Sequence, residues 1–418
     1  MTRGPRRPTE LPAAAGPAPG HAAESPFLRA PEGARAVFLV MLFAVCGPLA
    51  GGVLLFGWRA AVVTLLAVAS CTLVERLYYR VTRVPALLGR THGVLTGVLL
   101  ALTLPAFVPW YVPVVAGAFA IIVGKAVFGG VGHFVWHPAL IGRLAVAVMF
   151  PMDLAVSDAR FRTRQPVLAR NRLLVGDVRS ARPADDRLSW RDRPAPADRD
   201  AFLLKPPVGI LRGLTGAEGG RYGALVFRPA DRTAGARPAL LDMPPINNLL
   251  WGARPGGIGE TSLILIVVAG LYLIYRNYVK WPLPFAMLAA AWLTAAVAPV
   301  WFAAPNNTTR AVWLPLLSPE GLGATFTYVN YQLLSGQLLL AGLLASVEMT
   351  CRPVTTGGQV LFGIGCGAGA MLLQLYTTVS VPCYMAVLAM NTFTPTIDRI
   401  WRARVFGLPR FGLRRRTT

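Results

Sequence analysis

GARPGGIGETSLILIVVAGLYLIYRNYV, residues 252–279, joins a glycine-rich loop carrying an arginine and a glutamate to eighteen mostly apolar residues. A run of that length matches the hydrocarbon core of a bilayer and reads as a transmembrane helix. The loop at its mouth has three readings: a turn, a phosphate cradle or an ion site. No Lys-Ser/Thr pair closes it and no strand precedes it, so it is not a P-loop. Glycines let backbone N–H groups approach a phosphate, the helix that follows offers its positive end, and Arg254 adds a charge. Glu260 argues for a capped turn, because a carboxylate there compensates the helix dipole itself. The candidate cofactor-contacting residues are therefore Arg254, Gly256, Gly257, Gly259, Glu260 and Thr261, with the ligand site and the capped turn both open.

The whole chain agrees with a membrane reading. Of its 418 residues 54% are hydrophobic and only 14% charged, and the mean hydropathy is +0.51. The apolar residues fall into ten runs: 36–58, 60–79, 93–106, 108–127, 138–156, 261–279, 282–303, 329–347, 358–377 and 380–398. This predicts an all-α polytopic membrane protein of about ten helices. The net charge of +22 does not signal nucleic acid, since the arginines flank membrane segments and fill one long loop without interleaved stacking aromatics. The five cysteines form no CxxC pair, which argues against a metal cluster held by this chain alone and against a disulfide framework.

Basic residues set the orientation. With the N-terminus inside, Arg3, Arg6, Arg7, Arg35, Arg80, Arg83, Arg90, Arg276, Lys280, Arg352 and the basic tail from Arg399 to Arg416 all fall in the cytoplasm. The short outer connections carry chiefly Arg59 and Arg310. Long loops escape the rule, so the arginine-rich region 157–260 is compatible with the outside. Both termini are expected to be cytoplasmic.

The chain then divides into a disordered Pro- and Ala-rich tail (1–34), a first set of five segments (35–156), an extracytoplasmic region (157–260), a second set of five (261–400) and a basic tail (401–418). LTGVLLALTLPA (95–106) resembles LSGQLLLAGLLA (334–345), which supports two five-helix repeats related by inversion. Segment 93–106 is short and KAVFGGVGHFVWHP (125–138) is glycine-rich. Interrupted segments of this kind build sites at mid-membrane.

Charged residues within these segments are candidates for an ion pathway. Glu75, Glu348 and Asp398 are read as acids near cytoplasmic helix ends, either anchoring the interface or taking up a cation. Lys125 and Arg143 lie toward membrane depth, where a charge needs a partner or water. His133 and His137 have the i, i+4 spacing of a helical metal pair, but Gly132 and Pro138 flank them and no third ligand is near.

Several stretches also resemble a known family. GARPGGIGETS followed by GLYLIYR (270–276), KAVFGGVGHFVWHPALIGRLAVAVMFP (125–151), SVEMTCRPVTTGGQVLFGIGCG (346–367) and MNTFTPTIDR (390–399) are similar, in order, to motifs of the RnfD/NqrB family. These are membrane subunits of Rnf complexes and of sodium-pumping NADH:quinone reductases. The resemblance covers roughly 35–407 and implies ten helices in two inverted five-helix repeats, a urea-channel-like fold and a place in the bacterial inner membrane. It also implies electron transport through flavin, with FMN bonded to a threonine of an "SGAT" motif, and it makes Asp398 the counterpart of an acid associated with sodium uptake. The implied partners are the other membrane subunits of an Rnf/NQR-like complex, an extracytoplasmic flavoprotein subunit and the lipid bilayer, with no nucleic acid.

This chain departs from the pattern at informative places. His137 stands for the asparagine of an "NPA" turn and Glu348 for the aspartate of "TDP". Where the flavin-accepting threonine belongs, one match places Pro206 and another Glu218, neither of which has a hydroxyl. Thr215 falls on the serine of the second match. A flavin, as FMN or riboflavin, is accordingly expected to be held non-covalently where this chain binds one, or else to be held by a partner that the chain serves. The chain has no NADH-binding fingerprint, so the expectation is a non-autonomous subunit of an ion-translocating electron-transport complex. The alternatives are a solute or ion channel on the same fold and an assembly scaffold.

Overall fold

The computed structural model describes residues 33–83, 91–130, 132–151, 153–154, 160–162, 201–203, 246–252, 256–303, 310–317, 321–334, 337–377 and 379–401. The two tails, most of 157–260, Arg254, Pro206, Thr215 and Glu218 lie outside the described residues. What is described is mostly helical.

Helix α1 (Ala34–Phe56) leads through Gly57 into α2 (Trp58–Thr82). The buried stripe of α2 is Ala60, Val63, Ala67, Cys71 and Glu75, while Leu65, Leu73 and Leu77 are more than half exposed. Small residues inside and leucines outside invert the pattern of a water-soluble helix. They suit lipid, where small residues let helix backbones approach and apolar side chains meet acyl chains. Residues 36–56 of α1, all of α2 and helix α11 (Thr356–Tyr376) are each long and apolar enough to cross a membrane.

Helix α3 (Thr91–Thr103) is different. At thirteen residues it is about 20 Å long, well short of the ~30 Å hydrocarbon core. It stops before Leu104-Pro105, where the proline ring prevents the helix continuing. Helix α4 (Tyr111–Ile121) runs on into a π-helical turn (Ile122–Ala126), and α5 (Pro138–Met149) begins with proline at its first position. The short strands β1 (Arg160–Arg162) and β2 (Ala201–Leu203) pair antiparallel, and α6 (Ile246–Trp251) precedes the glycine loop. Then come α7 (Leu263–Tyr275) and α8 (Pro282–Val297). Strand β3 (Val300–Ala303) pairs antiparallel with β4 (Arg310–Trp313), and α9 (Leu322–Leu334), α10 (Gln337–Val347), α11 and α12 (Pro382–Ile400) complete the chain.

Two apolar runs resolve differently from their sequence reading. The run 282–303 is a helix only to Val297, since Pro299 follows and Val300, Trp301 and Phe302 suit a strand. The run 329–347 is two helices, α9 and α10, on either side of the helix-breaking Ser335-Gly336 pair.

Packing follows the same order in both halves. Helix α3 packs against α1, α2 and α5, α2 against α4, and α4 against α5. Likewise α10 packs against α7, α8 and α12, α8 against α11, and α11 against α12. Contacts between the sets run through α1 with α7 and α5 with α12. Helix α9 has no counterpart in this scheme.

Candidate functional site: a buried polar seam

The glycine loop is buried, and its amides are already used. The N–H groups of Ile258 and Gly259 donate to the carbonyls of Leu104 (2.9 Å) and Leu102 (2.8 Å), at the broken end of α3. The N–H of Glu260 donates to the Gly257 carbonyl at 3.0 Å, and that of Gly257 to the Glu260 carboxylate at 3.3 Å. Between these two acceptors, the Thr103 carbonyl takes Arg143 Nε at 2.9 Å. The orphan carbonyls that a helix C-terminus leaves are thus satisfied across the interior of the protein. A side chain at Gly259 would meet Leu102 Cδ2 at 2.5 Å, so glycine is required by this close approach.

Of the two readings of Gly256, Gly257, Gly259, Glu260 and Thr261, this geometry favours the capped turn over the phosphate cradle. Four consecutive amides, 257 to 260, donate within the protein, Thr261 is 1% exposed, and a carboxylate rather than a cation lies beside them. A flavin phosphate does not fit these residues. The Glu260 carboxylate closes the turn by accepting from the Gly257 amide, and it also accepts from the Tyr384 hydroxyl of α12. Arg143 lies close enough to Tyr384 to act on it electrostatically.

A second polar group sits further along the same seam. Lys125, in the π turn after α4, bonds the Glu75 carboxylate of α2 and reaches His92 Nδ1 of α3 at 3.1 Å. His92 Nε2 is 3.3 Å from Glu348 Oε1, just beyond the end of α10, without the alignment of a hydrogen bond. All four residues are at most 3% exposed. A π turn inserts one extra residue, and here the Val127 amide reaches back to Ile122 at 3.0 Å as Lys125 turns inward. A Cβ at Gly93 would collide with the Glu75 carboxylate, so a glycine lets α2 bring its acid against α3. The ring of His92 is packed edge-on against Phe38 at 5.2 Å between centroids and tilted against Phe134 at 5.6 Å.

Isolated buried charges cost several kcal/mol each, so pairing decides whether such a cluster survives. Glu75, Lys125 and Glu348, read from sequence as two interfacial acids and a mid-depth lysine in need of a partner, form one buried chain with His92, in which Glu75 is the partner of Lys125. Asp398 is not bonded to it among the described residues. It is half-buried, and its carboxylate accepts from the Val354 amide at 3.2 Å. The loop from Glu348 to Thr355 is tied down on several sides. Thr394 donates to the Cys351 carbonyl at 2.9 Å, Gln359 to the Pro353 carbonyl at 3.0 Å and Arg352 to the Tyr278 carbonyl at 2.9 Å. The Asn391 amide, oriented to satisfy both ends, donates to the Cys351 carbonyl and accepts from the His137 amide, each at 3.2 Å.

His133 and His137 do not share a helix: His133 lies in an exposed turn, while His137 is the buried residue that starts α5. No group of three metal-ligating side chains occurs among the described residues. His92, Thr96, Tyr384 and Asn391 are the site residues the sequence reading missed. The one available signal was His92 and Thr96 at i, i+4 on a helix too short to span, and the Thr96 hydroxyl indeed bonds the His92 carbonyl at 2.9 Å.

The two groups lie on one seam. Helix α12 carries Tyr384 and, seven residues on, Asn391, a rise of about 10 Å. Helix α5 begins at His137 and carries Arg143 one and a half turns later. Trp136 also donates to Thr392 across this boundary at 3.0 Å.

Comparison with known proteins covers nearly the whole chain. The model of the NQR2, RnfD, RnfE family matches residues 21–407. A subunit of the ion-translocating oxidoreductase complex of Stutzerimonas stutzeri is 30% identical over 375 residues, covering 89% of this chain and 91% of that protein. The corresponding subunit of the proton-translocating ferredoxin:NAD(+) oxidoreductase complex of Clostridium ljungdahlii is 26% identical, over 92% of this chain and 96% of its own. That of the Na(+)-translocating ferredoxin:NAD(+) oxidoreductase complex of Acetobacterium woodii is 24% identical, over 92% and 94%. With the family model matched over residues 21–407 and a 30% identical relative covered over 91% of its length, the chain belongs to the NQR2, RnfD, RnfE family.

Proposed function

We infer that this chain works as the membrane-embedded RnfD-type component of an ion-translocating oxidoreductase complex, and that its buried seam is part of the ion's route. The observation that carries this reading is the Glu75–Lys125–His92–Glu348 chain, which links residues of both halves inside a membrane protein. Ionisable groups at such depth are costly unless paired or hydrated, and where a membrane protein keeps them they mark ion or proton routes. The matched order of helix packing supports two five-helix repeats of inverted orientation meeting at this seam, with α3 and α10 as the broken helices. We place the termini in the cytoplasm, the protein in the inner membrane, and Asp398 at the cytoplasmic approach to the Glu348 loop. The partners are the remaining subunits of the complex, which supply the electron-transfer centres. No electron-transfer step is assigned to Gly256–Thr261, and no flavin is bonded covalently to this chain.

The test is to tag this chain in its native membrane and purify what accompanies it. Flavin- and cluster-bearing subunits, with ion gradients driven by electron transfer in liposomes, are the expected result. Solute flux through the chain alone, with no redox partners, would replace this reading by a channel.

A further inference from the structure

The relatives' names include both a proton and a sodium pump, so similarity leaves the ion open. The arrangement of donors does not. We propose that the inner cluster passes a proton, by a relay from Lys125 through His92 to Glu348, and does not bind a metal cation. This rests on the reading of the chain as part of an ion-translocating complex.

Lysine's ammonium has donors only, so His92 Nδ1 at 3.1 Å must be the acceptor. The proton of the neutral ring then sits on Nε2, facing Glu348 Oε1 at 3.3 Å. The Lys125–His92 hydrogen bond is set for transfer toward Glu348, and the His92–Glu348 contact completes the path once it aligns. When a Lys125 Nζ–H bond breaks, an Nδ1–H bond forms on His92. The Nε2–H bond breaks and an Oε1–H bond forms on Glu348. Lys125 and Glu348 end neutral and the Glu75 carboxylate is left without its ion-pair partner, which draws in the next proton to restore the ammonium while Glu348 releases its own onward. The ring then resets its tautomer between Phe38 and Phe134. The poorly aligned link between His92 and Glu348, both buried, is the point at which the relay opens.

A hard metal cation requires several oxygen ligands. Here Glu75 already faces the Lys125 ammonium, which repels a metal cation, and Glu348 faces an imidazole N–H. The other polar and titratable groups around the cluster are Cys71 of α2 beside Glu75 and Lys125, Thr96 of α3 beside His92, His137 and Cys351 beside Glu348, and Asn391 and Thr394 of α12, which both bond the Cys351 carbonyl. Three carbonyl or hydroxyl oxygens nearby, those of Cys351, Thr394 and Thr96, are bound to one another or to backbone.

The experiment uses the whole complex in liposomes, with electron donor supplied, a pH-sensitive dye inside, and radioactive sodium outside in a parallel sample. Expected are a proton gradient in sodium-free buffer that millimolar sodium leaves unchanged, no sodium uptake, and a roughly tenfold or greater loss of the gradient in His92→Gln. Lys125→Arg is the decisive variant, because a guanidinium keeps the positive charge beside Glu75 but does not release its proton. A relay fails in Lys125→Arg, whereas a purely structural lysine tolerates it. Wild-type proton uptake in assembled Lys125→Arg complex would overturn the proposal, and if His92→Gln does not assemble this variant decides alone. Sodium uptake that persists with a protonophore would also overturn it while leaving the reading of the chain as part of an ion pump intact. Electron flow that builds no gradient of either ion would end both.

Discussion

Replacing Lys125 by methionine removes the ammonium but keeps most of the side chain's volume, so its effect measures charge pairing. Glu75 is 3% exposed and loses its ion-pair partner in this variant. Breaking a buried pair from one side costs about 3–5 kcal/mol, because the remaining charge stays dehydrated and unpaired. Glu75→Gln, which strands the ammonium, costs somewhat less, since His92 Nδ1 still accepts one of its protons. The double variant leaves neither charge behind. Its destabilisation should fall short of the sum of the two single effects by about 2 kcal/mol or more. Unfolding in mixed micelles of rising SDS content, followed by tryptophan fluorescence, reads all three values. Additivity to within about 0.5 kcal/mol would refute the reasoning, because two residues that sustain each other cannot act independently.

Three further outcomes follow from particular residues. Gly259→Val should cost about 1–3 kcal/mol by overpacking against Leu102, read as a lower unfolding midpoint; a wild-type midpoint would mean the α3 end and the loop are not in contact. Asp398→Asn keeps an oxygen for the Val354 amide, so the complex should assemble but take up ions more slowly; normal uptake would remove Asp398 from the route. Protein made together with its native flavin transferase should show no fluorescent band for this chain on a denaturing gel, and a band lost in Thr215→Val would reveal a covalent flavin after all.

Much of the helical framework was legible because lipid imposes a simple rule: long apolar runs become helices, and α1, α2 and α11 lie close to where composition puts them. The short run 93–106 and the glycines after Lys125 also marked the interrupted region correctly, since proline and glycine act locally. What composition conceals is which distant groups meet. Glu75 and Lys125 are fifty residues apart, and nothing in either neighbourhood names the other. His92 gained its meaning only from Lys125 and Glu348, which come from different halves. The glycine loop left a ligand site and a capped turn both open for the same reason. Its amides have the chemistry to hold a phosphate, but the carbonyls freed by the proline break at Leu104-Pro105 claim them first. Residues 282–303 and 329–347 differed because hydropathy alone does not separate a helix from a strand, or one helix from two.

The most direct test of the account is the ion gradient formed by complex carrying Glu348→Gln, with electron transfer measured in the same liposomes. Glutamine preserves the size of the side chain and a hydrogen-bonding oxygen for His92, but it carries no charge and takes up no proton at neutral pH. The account predicts that electrons reach the acceptor while no gradient builds across the membrane. A full gradient in that variant would contradict it.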